Sequence, residues 1–135
     1  MNTEEQQMYN QLAFYTLSHP DKIFFIHQLV VDAYTAQHAD AQTKPIAITF
    51  ALAGLYLVVE KNYTGKQVQL VHVEMSKRKI LWPSFVVPEH RGSLRISDVL
   101  AEEPGEARDI MIRKWCEDVW KAFADQKDKV LATLP

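Results

Sequence analysis

The stretch FFIHQLVVDAYTAQHAD, residues 24–40, decides how this chain folds. When its apolar residues are advanced by 100° per residue, they point in nearly every direction around a helix axis. A helix that is apolar on all sides normally lies at the centre of a bundle. We therefore predict a central helix from about Pro20 to Ala39, as the most hydrophobic helix of the chain.

Six polar side chains interrupt this apolar segment: His27, Gln28, Asp32, Tyr34, Gln37 and His38. A buried polar group without a partner costs roughly 1–3 kcal/mol, so the segment builds either a structural polar network or a binding site. Tyr34 and His38 are four residues apart and can touch on one helix face. His27 and His38 are separated by a rise of roughly 16 Å, so they cannot bind one metal ion together.

Helical patterns flank this segment on both sides. Thr3 followed by Gln6 is a capping-box start, which predicts a first helix to about Leu17. Pro45 opens a third helix that reaches about Lys61. The uncharged part of the third helix is shorter than the roughly 18–20 residues that a membrane-spanning helix requires.

Residues 65–77 allow two interpretations. His72 follows Val68 by four residues, as on a helix face, but Val68, Leu70 and His72 also alternate as in a strand. A second capping-box pattern, which starts at Thr64, favours a fourth helix. Both interpretations remain open at this point.

A long irregular connection follows at residues 80–96, where prolines and a glycine interrupt any regular pattern. Loops of this length often bind ligands or cover sites. Ser97 and Asp98 then cap a short helical piece, and a final helix runs from about Glu106 to Ala132. The predicted fold class is all-α, an irregular bundle of four to five main helices in one domain over residues 1–135.

Composition excludes several classes of function. The 135 residues carry 15 Lys and Arg against 17 Asp and Glu, so bulk charge does not predict a nucleic-acid binder. A single cysteine, Cys116, excludes an intramolecular disulfide framework, a zinc–cysteine cluster and an iron–sulfur site. The four glycines form no phosphate-binding loop, so no nucleotide site is expected. The acidic N-terminus differs from a secretory signal, which predicts a cytoplasmic protein without a membrane segment.

Basic residues concentrate in the middle of the chain. Lys77, Arg78 and Lys79 are followed by Arg91 and Arg95, and this block could meet an acidic ligand. The alternative is a solvated helix end, where cations suit the helix dipole.

Three functions fit these observations. The first is a small ligand-binding or interaction module with an unknown small-molecule ligand, whose pocket lies beneath the proline-containing loop and includes His27, Asp32, Tyr34, Gln37, His38 and Trp82. The second is a metal-assisted enzyme, in which His27 or His38 joins His72 or a carboxylate; the chain has none of the familiar helical metal spacings, so no cofactor is assigned. The third is a scaffold that acts through self-association, for example as a homodimer.

The segment from His27 to His38 resembles the signature of an uncharacterised bacterial family, one of the domains of unknown function. In that family a His, an Asp-x-Tyr and a Gln-His pair recur on one helix. Residues 82–99 and 113–120 are similar to its proline loop and its tryptophan-bearing last helix. The resemblance implies a helical fold and no particular activity. Many members also carry an N-terminal cysteine pair resembling a zinc knuckle, which is missing here because Cys116 is the only cysteine.

Overall fold

The computed structural model describes residues 3–18 and 24–135, and it is helical throughout apart from loops and turns. Its helices are α1 (Glu4–Ser18), α2 (His27–Gln37), α3 (Pro45–Lys61), α4 (Gly65–Ser76), α5 (Ile96–Ala101), α6 (Glu106–Phe123) and α7 (Lys127–Leu131). No strand occurs within the described ranges. The all-α prediction is confirmed, although the helices are more numerous than the four to five main ones expected.

Two threonine hydroxyls cap helices where the sequence predicts capping boxes, but only the cap at Thr64 is a complete capping box, because the Gln6 side chain donates to Asn10 instead of bonding back to Thr3. The Thr3 hydroxyl accepts a hydrogen bond from the Gln6 backbone N–H at 3.0 Å, which starts α1. At α4, Thr64 accepts from the Gln67 N–H at 3.2 Å while the Gln67 side chain accepts from the Thr64 N–H at 2.8 Å. Residues 65–77 are therefore helical up to Ser76, and the strand alternative is wrong.

The second helix begins later than predicted, at His27 instead of near Pro20. The prediction for residues 19–23 lies outside the described residues. Phe25 has φ +44°, a left-handed conformation that a right-handed helix does not allow. Gly65 packs so closely on this turn that a Cβ atom there would overlap the Phe25 carbonyl oxygen. The start of α4 thus contacts the turn that precedes α2.

The helix that is buried on all sides is α3, which corrects the prediction that α2 is the most hydrophobic one. Every residue from Ile48 to Val58 is buried except Phe50, which is half-buried. By contrast, α2 is central because of its neighbours: it contacts α1, α3, α4 and α6. Its polar side chains therefore face several helices at once.

The last predicted helix is wrong in its length, because α6 ends at Phe123 and a 3₁₀ turn, Ala124–Gln126, separates it from α7. The Gln126 side chain in this turn bonds both the N–H and the carbonyl of Val86, at 2.9 and 2.7 Å. The interruption therefore lies where the long loop is attached.

The cap of α5 also differs from the prediction. Arg95 precedes the helix, and its N–H donates to the Asp98 carboxylate at 2.8 Å, while Ser97 lies inside the helix. The loop between α4 and α5 is irregular, as predicted. Among the helices described, none is long and apolar enough to cross a membrane.

Helices α2 and α3 pack closely where Gly54 faces Asp32. A Cβ atom at position 54 would overlap the Asp32 carboxyl and lie 3.2 Å from a Val68 methyl group. We expect Gly54→Ala to lower the free energy of unfolding by about 1–3 kcal/mol, because overpacking forces the helices apart. Urea denaturation of both proteins measures this difference.

The double variant Gly54→Ala, Asp32→Ala tests the cause. Removing the opposing carboxyl makes room for the methyl group, so the double variant should lose less stability than the sum of the two single variants. Strict additivity would show that Gly54 is needed for another reason.

Candidate functional site

The polar side chains of α2 reach four different surroundings. His27 faces α1, where its Nδ1 lies 2.9 Å from the Thr16 hydroxyl. That hydroxyl also lies 3.0 Å from the Ala13 carbonyl, which can only accept, so the Thr16 proton points there and His27 Nδ1 donates. Burial lowers the pKa of His27. This residue joins α1 to α2 in its neutral form.

A cavity of about 540 Å³ opens beside this contact. Its lining comes from α1, the turn before α2 and the start of α6: Tyr15, Thr16, Phe24, Ile26, Glu106, Asp109 and Arg113. His27 is not among these lining residues, but it contacts one of them, Thr16.

Asp32 is buried at 4% exposure between α2 and α3. Its Oδ1 accepts from Gln28 Nε2 at 3.1 Å, while its Oδ2 has no hydrogen-bond partner among the described residues. Burial raises the pKa of this carboxyl well above its ordinary value, and the weaker effect of the Gln28 bond lowers it. The neutral acid is therefore favoured in the folded protein.

Gln37 joins α2 to α6 and to the long loop. Its side-chain N–H groups donate to the carbonyls of Leu94, at 2.7 Å, and Arg91, at 3.2 Å. Its carbonyl oxygen accepts from the Trp115 indole at 3.0 Å. All three bonds are made by a side chain that is 3% exposed, so Gln37 has a structural function.

Tyr34 and His38 are brought together, as their spacing predicts. The Tyr34 ring stacks between Tyr9 of α1, at 4.3 Å between ring centroids, and His38, at 4.2 Å. His38 Nε2 lies 2.9 Å from Glu5 Oε2 at the start of α1. Burial raises the pKa of Tyr34, and the neighbouring Glu5 and Tyr9 raise it further.

Two arginines of the long loop act on the same imidazole. Burial lowers the pKa of His38, Glu5 raises it, and Arg95 and Arg91 lower it again. Arg91 Nη1 donates to the Ala39 carbonyl just after α2. We call Glu5, Tyr9, Tyr34, His38, Arg91 and Arg95 the His38 cluster.

Trp82 and His72 lie elsewhere, beside α3. The Trp82 ring contacts Phe50 edge-on, with 5.4 Å between ring centroids. His72 stacks obliquely on the same ring at 5.1 Å, and its Nε2 donates to the Phe50 carbonyl at 2.8 Å. Burial lowers the pKa of His72, and the backbone bond raises it. These two candidates therefore lie together and apart from the His38 cluster.

The three histidines considered for a metal each have their own partner: His27 bonds Thr16, His38 contacts Glu5 and His72 bonds Phe50. Within residues 3–18 and 24–135, no group of three or more His, Cys, Asp or Glu side chains could hold a metal ion. Cys116 is buried, and burial raises the pKa of its thiol far above the ordinary range, so it is no nucleophile.

Glu5 and Tyr9 contact the predicted residues His38 and Tyr34 but are not themselves among the predicted candidates. They are four residues apart on α1, which is the spacing of Tyr34 and His38 on α2. Two helices with matching pairs of polar and aromatic residues can pack with those pairs in register. That correspondence was the available signal.

The chain matches the family of unknown function DUF5946 over residues 4–124. It belongs to that family. The predicted resemblance to an uncharacterised domain family is thereby confirmed. Neither a curated protein nor a solved structure matches the chain significantly.

The buried carboxyl of Asp32 predicts a stability that falls as pH rises. The pKa of Asp32 is higher in the folded than in the unfolded protein. Its contribution to the free energy of unfolding is therefore fully present below the unfolded pKa near 3.9, and it is lost as the pH rises from there to the folded pKa. The slope from this one proton is about 1.4 kcal/mol per pH unit. We expect Asp32→Asn to remove it, as measured by urea denaturation between pH 5 and pH 8.

Asp125→Asn is the matched control, since Asp125 is exposed on the 3₁₀ turn. It should leave the pH dependence of the free energy of unfolding unchanged. An Asp32→Asn variant with the wild-type pH dependence would mean that Asp32 is ionised in the folded protein.

Proposed function

We propose that this protein is a binding module that recognises the oxyanion group of a small molecule at the His38 cluster. The observation that carries the proposal is the Arg91 guanidinium, whose Nη1 donates to the Ala39 carbonyl next to His38. The positive charges of Arg95 and Arg91 both lower the pKa of His38. Guanidinium and imidazolium groups are the side chains that best donate to carboxylate and phosphate oxygens.

The dipole of α2 accounts for the position of only one of these two arginines. Arg91 donates to the carbonyl that follows α2, where a positive charge complements the C-terminal end of a helix. Arg95 has no such bond, and neither arginine lies within ion-pair distance of a carboxylate in the described part of the chain. Burial and the neighbouring Arg95 lower the pKa of Arg91, and Asp40 raises it. Each of the two positive charges therefore destabilises the other.

The loop that carries both arginines is fixed from two sides. Gln37 of α2 holds the carbonyls at both ends of residues 91–94. On the other side, the Leu94 N–H donates to the Asp118 carboxylate of α6 at 2.8 Å. Gly92, with φ +95°, approaches Asp118 so closely that a Cβ atom would overlap the carboxylate. Groups fixed in advance lose little entropy when a ligand binds, which favours affinity.

The geometry supports recognition more than catalysis. Both faces of the Tyr34 ring are covered, by Tyr9 and by His38, so a ligand would contact the edge of the stack. His38 would donate one N–H, and Arg95 would supply its unpaired fork of donors. We also propose a cytoplasmic location for the protein. The free and buried thiol of Cys116 supports this location, because it fits a reducing compartment.

Acetate is the simplest probe for this site. Titration with sodium acetate in place of sodium chloride, at constant ionic strength, should shift the NMR signals of His38 and of residues 91–95 in a saturable way. We expect Arg95→Gln to weaken acetate binding by about 10- to 150-fold, since a hydrogen bond to a charged group contributes about 1.5–3 kcal/mol.

Lys114→Gln is the control, because it removes one charge from the exposed surface of α6. It should bind acetate as the wild type does. Equal losses of acetate affinity in Arg95→Gln and Lys114→Gln would show that only the net charge of the protein matters. An absence of saturable shifts in the wild type would overturn the proposal.

Acetate binding should strengthen as pH falls from 8 to 6. An anion favours the imidazolium form, and burial lowers the pKa of His38 in the free protein. Protonation is thus coupled to binding, by at most about tenfold in affinity per pH unit. In His38→Gln the remaining affinity should be independent of pH over this range. A pH dependence that persists in His38→Gln would assign it to another group.

A further inference from the structure

A carboxylate of the protein itself already lies in the His38 cluster. Glu5 Oε2 approaches His38 Nε2 to 2.9 Å, and both atoms are inaccessible to solvent. The two groups are nevertheless not aligned for a hydrogen bond, and each of these atoms has no other hydrogen-bond partner in the described residues. Glu5 is thus close to the imidazole without the directed bond that stabilises a buried ion pair.

The start of α1 does not require this contact. Glu4 and Glu5 both lie in the first turn, where negative side chains complement the helix dipole. The Thr3 hydroxyl caps the same turn. Glu4 is exposed and has no contact with His38. Both glutamates can therefore stabilise the start of α1, but only Glu5 contacts the His38 cluster.

We propose that the ligand group recognised by the His38 cluster is a carboxylate, and that the Glu5 carboxylate occupies the position of this ligand group in the free protein. This inference rests on the proposed function. A glutamate carboxylate has the same planar geometry and charge as the carboxylate of a ligand, and Glu5 Oε2 lies 2.9 Å from His38 Nε2. The Glu5 side chain is 39% exposed, so it can turn towards solvent when a ligand enters.

An internal competitor of this kind lowers the apparent affinity for a ligand. The ligand binds only the fraction of molecules in which Glu5 has left His38, and its dissociation constant rises in proportion. Removal of the Glu5 carboxylate should therefore increase affinity, although Glu5 itself touches the site. A residue that merely completes the site would show the opposite effect.

The experiment is acetate binding by Glu5→Ala, followed through the His38 imidazole signals by NMR. Loss of Glu5 removes its raising effect on the pKa of His38, and added acetate should restore it. We expect about tenfold tighter acetate binding than in the wild type. Glu4→Ala is the matched control, because it removes the same charge from the same helix turn, and it should bind acetate as the wild type does.

Two further measurements complete the test. Glu5→Gln keeps the size of the side chain and should also bind acetate more tightly, which keeps the test valid if Glu5→Ala is unstable. The affinity for inorganic phosphate, a tetrahedral anion, should increase less in the Glu5 variants than the affinity for acetate does. An equal increase would overturn the assignment of a carboxylate.

The two proposals fail differently. If the wild type binds acetate through Arg95 but neither Glu5 variant binds it more tightly, Glu5 is not a competitor and the binding function stands. If no variant shows saturable acetate binding, the proposed function is wrong and the role of Glu5 with it.

Discussion

The hydrogen bonds of the Gln37 amide connect the core of the molecule to its surface loop. Trp115 is fully buried in α6, and its indole N–H donates to the oxygen of Gln37. Because that oxygen is fixed, the amide nitrogen must point towards the loop, where it binds the carbonyls of Arg91 and Leu94. An indole N–H in the core thereby fixes the loop backbone at Arg91 and Leu94, and the residue after Gln37, His38, contacts Glu5 of α1.

Helical geometry then separates the remaining polar groups of α2. Each step of one residue turns the side chain by 100°, so neighbours in sequence face different helices. Gln37 faces α6 and His38 faces α1, although they are adjacent. Asp32 faces α3, where the missing side chain of Gly54 leaves room for its carboxyl. A central helix with four neighbours can therefore carry polar groups with different partners side by side.

The sequence predicts what depends on the spacing along one helix. The contact between Tyr34 and His38, the separation of His27 from His38 and the capping box at Thr64 all follow from positions three to eleven residues apart. What the sequence does not predict depends on contacts between distant segments. The partners of Gln37 lie 54 to 78 residues away, and the late start of α2 depends on the turn at Phe25 that packs against α4. Periodicity contains no information about which helix faces which.

The His38 cluster also depends on contacts between distant segments. Stacking by Tyr34 holds the imidazole in one orientation, and Tyr9 supports Tyr34 from α1. The same helix then places Glu5, one turn before Tyr9, beside His38. Because α1 provides both the stacking partner and the carboxylate, the aromatic contact fixes how close the negative charge can come. The distance of this negative charge from His38 is thus set by helix packing.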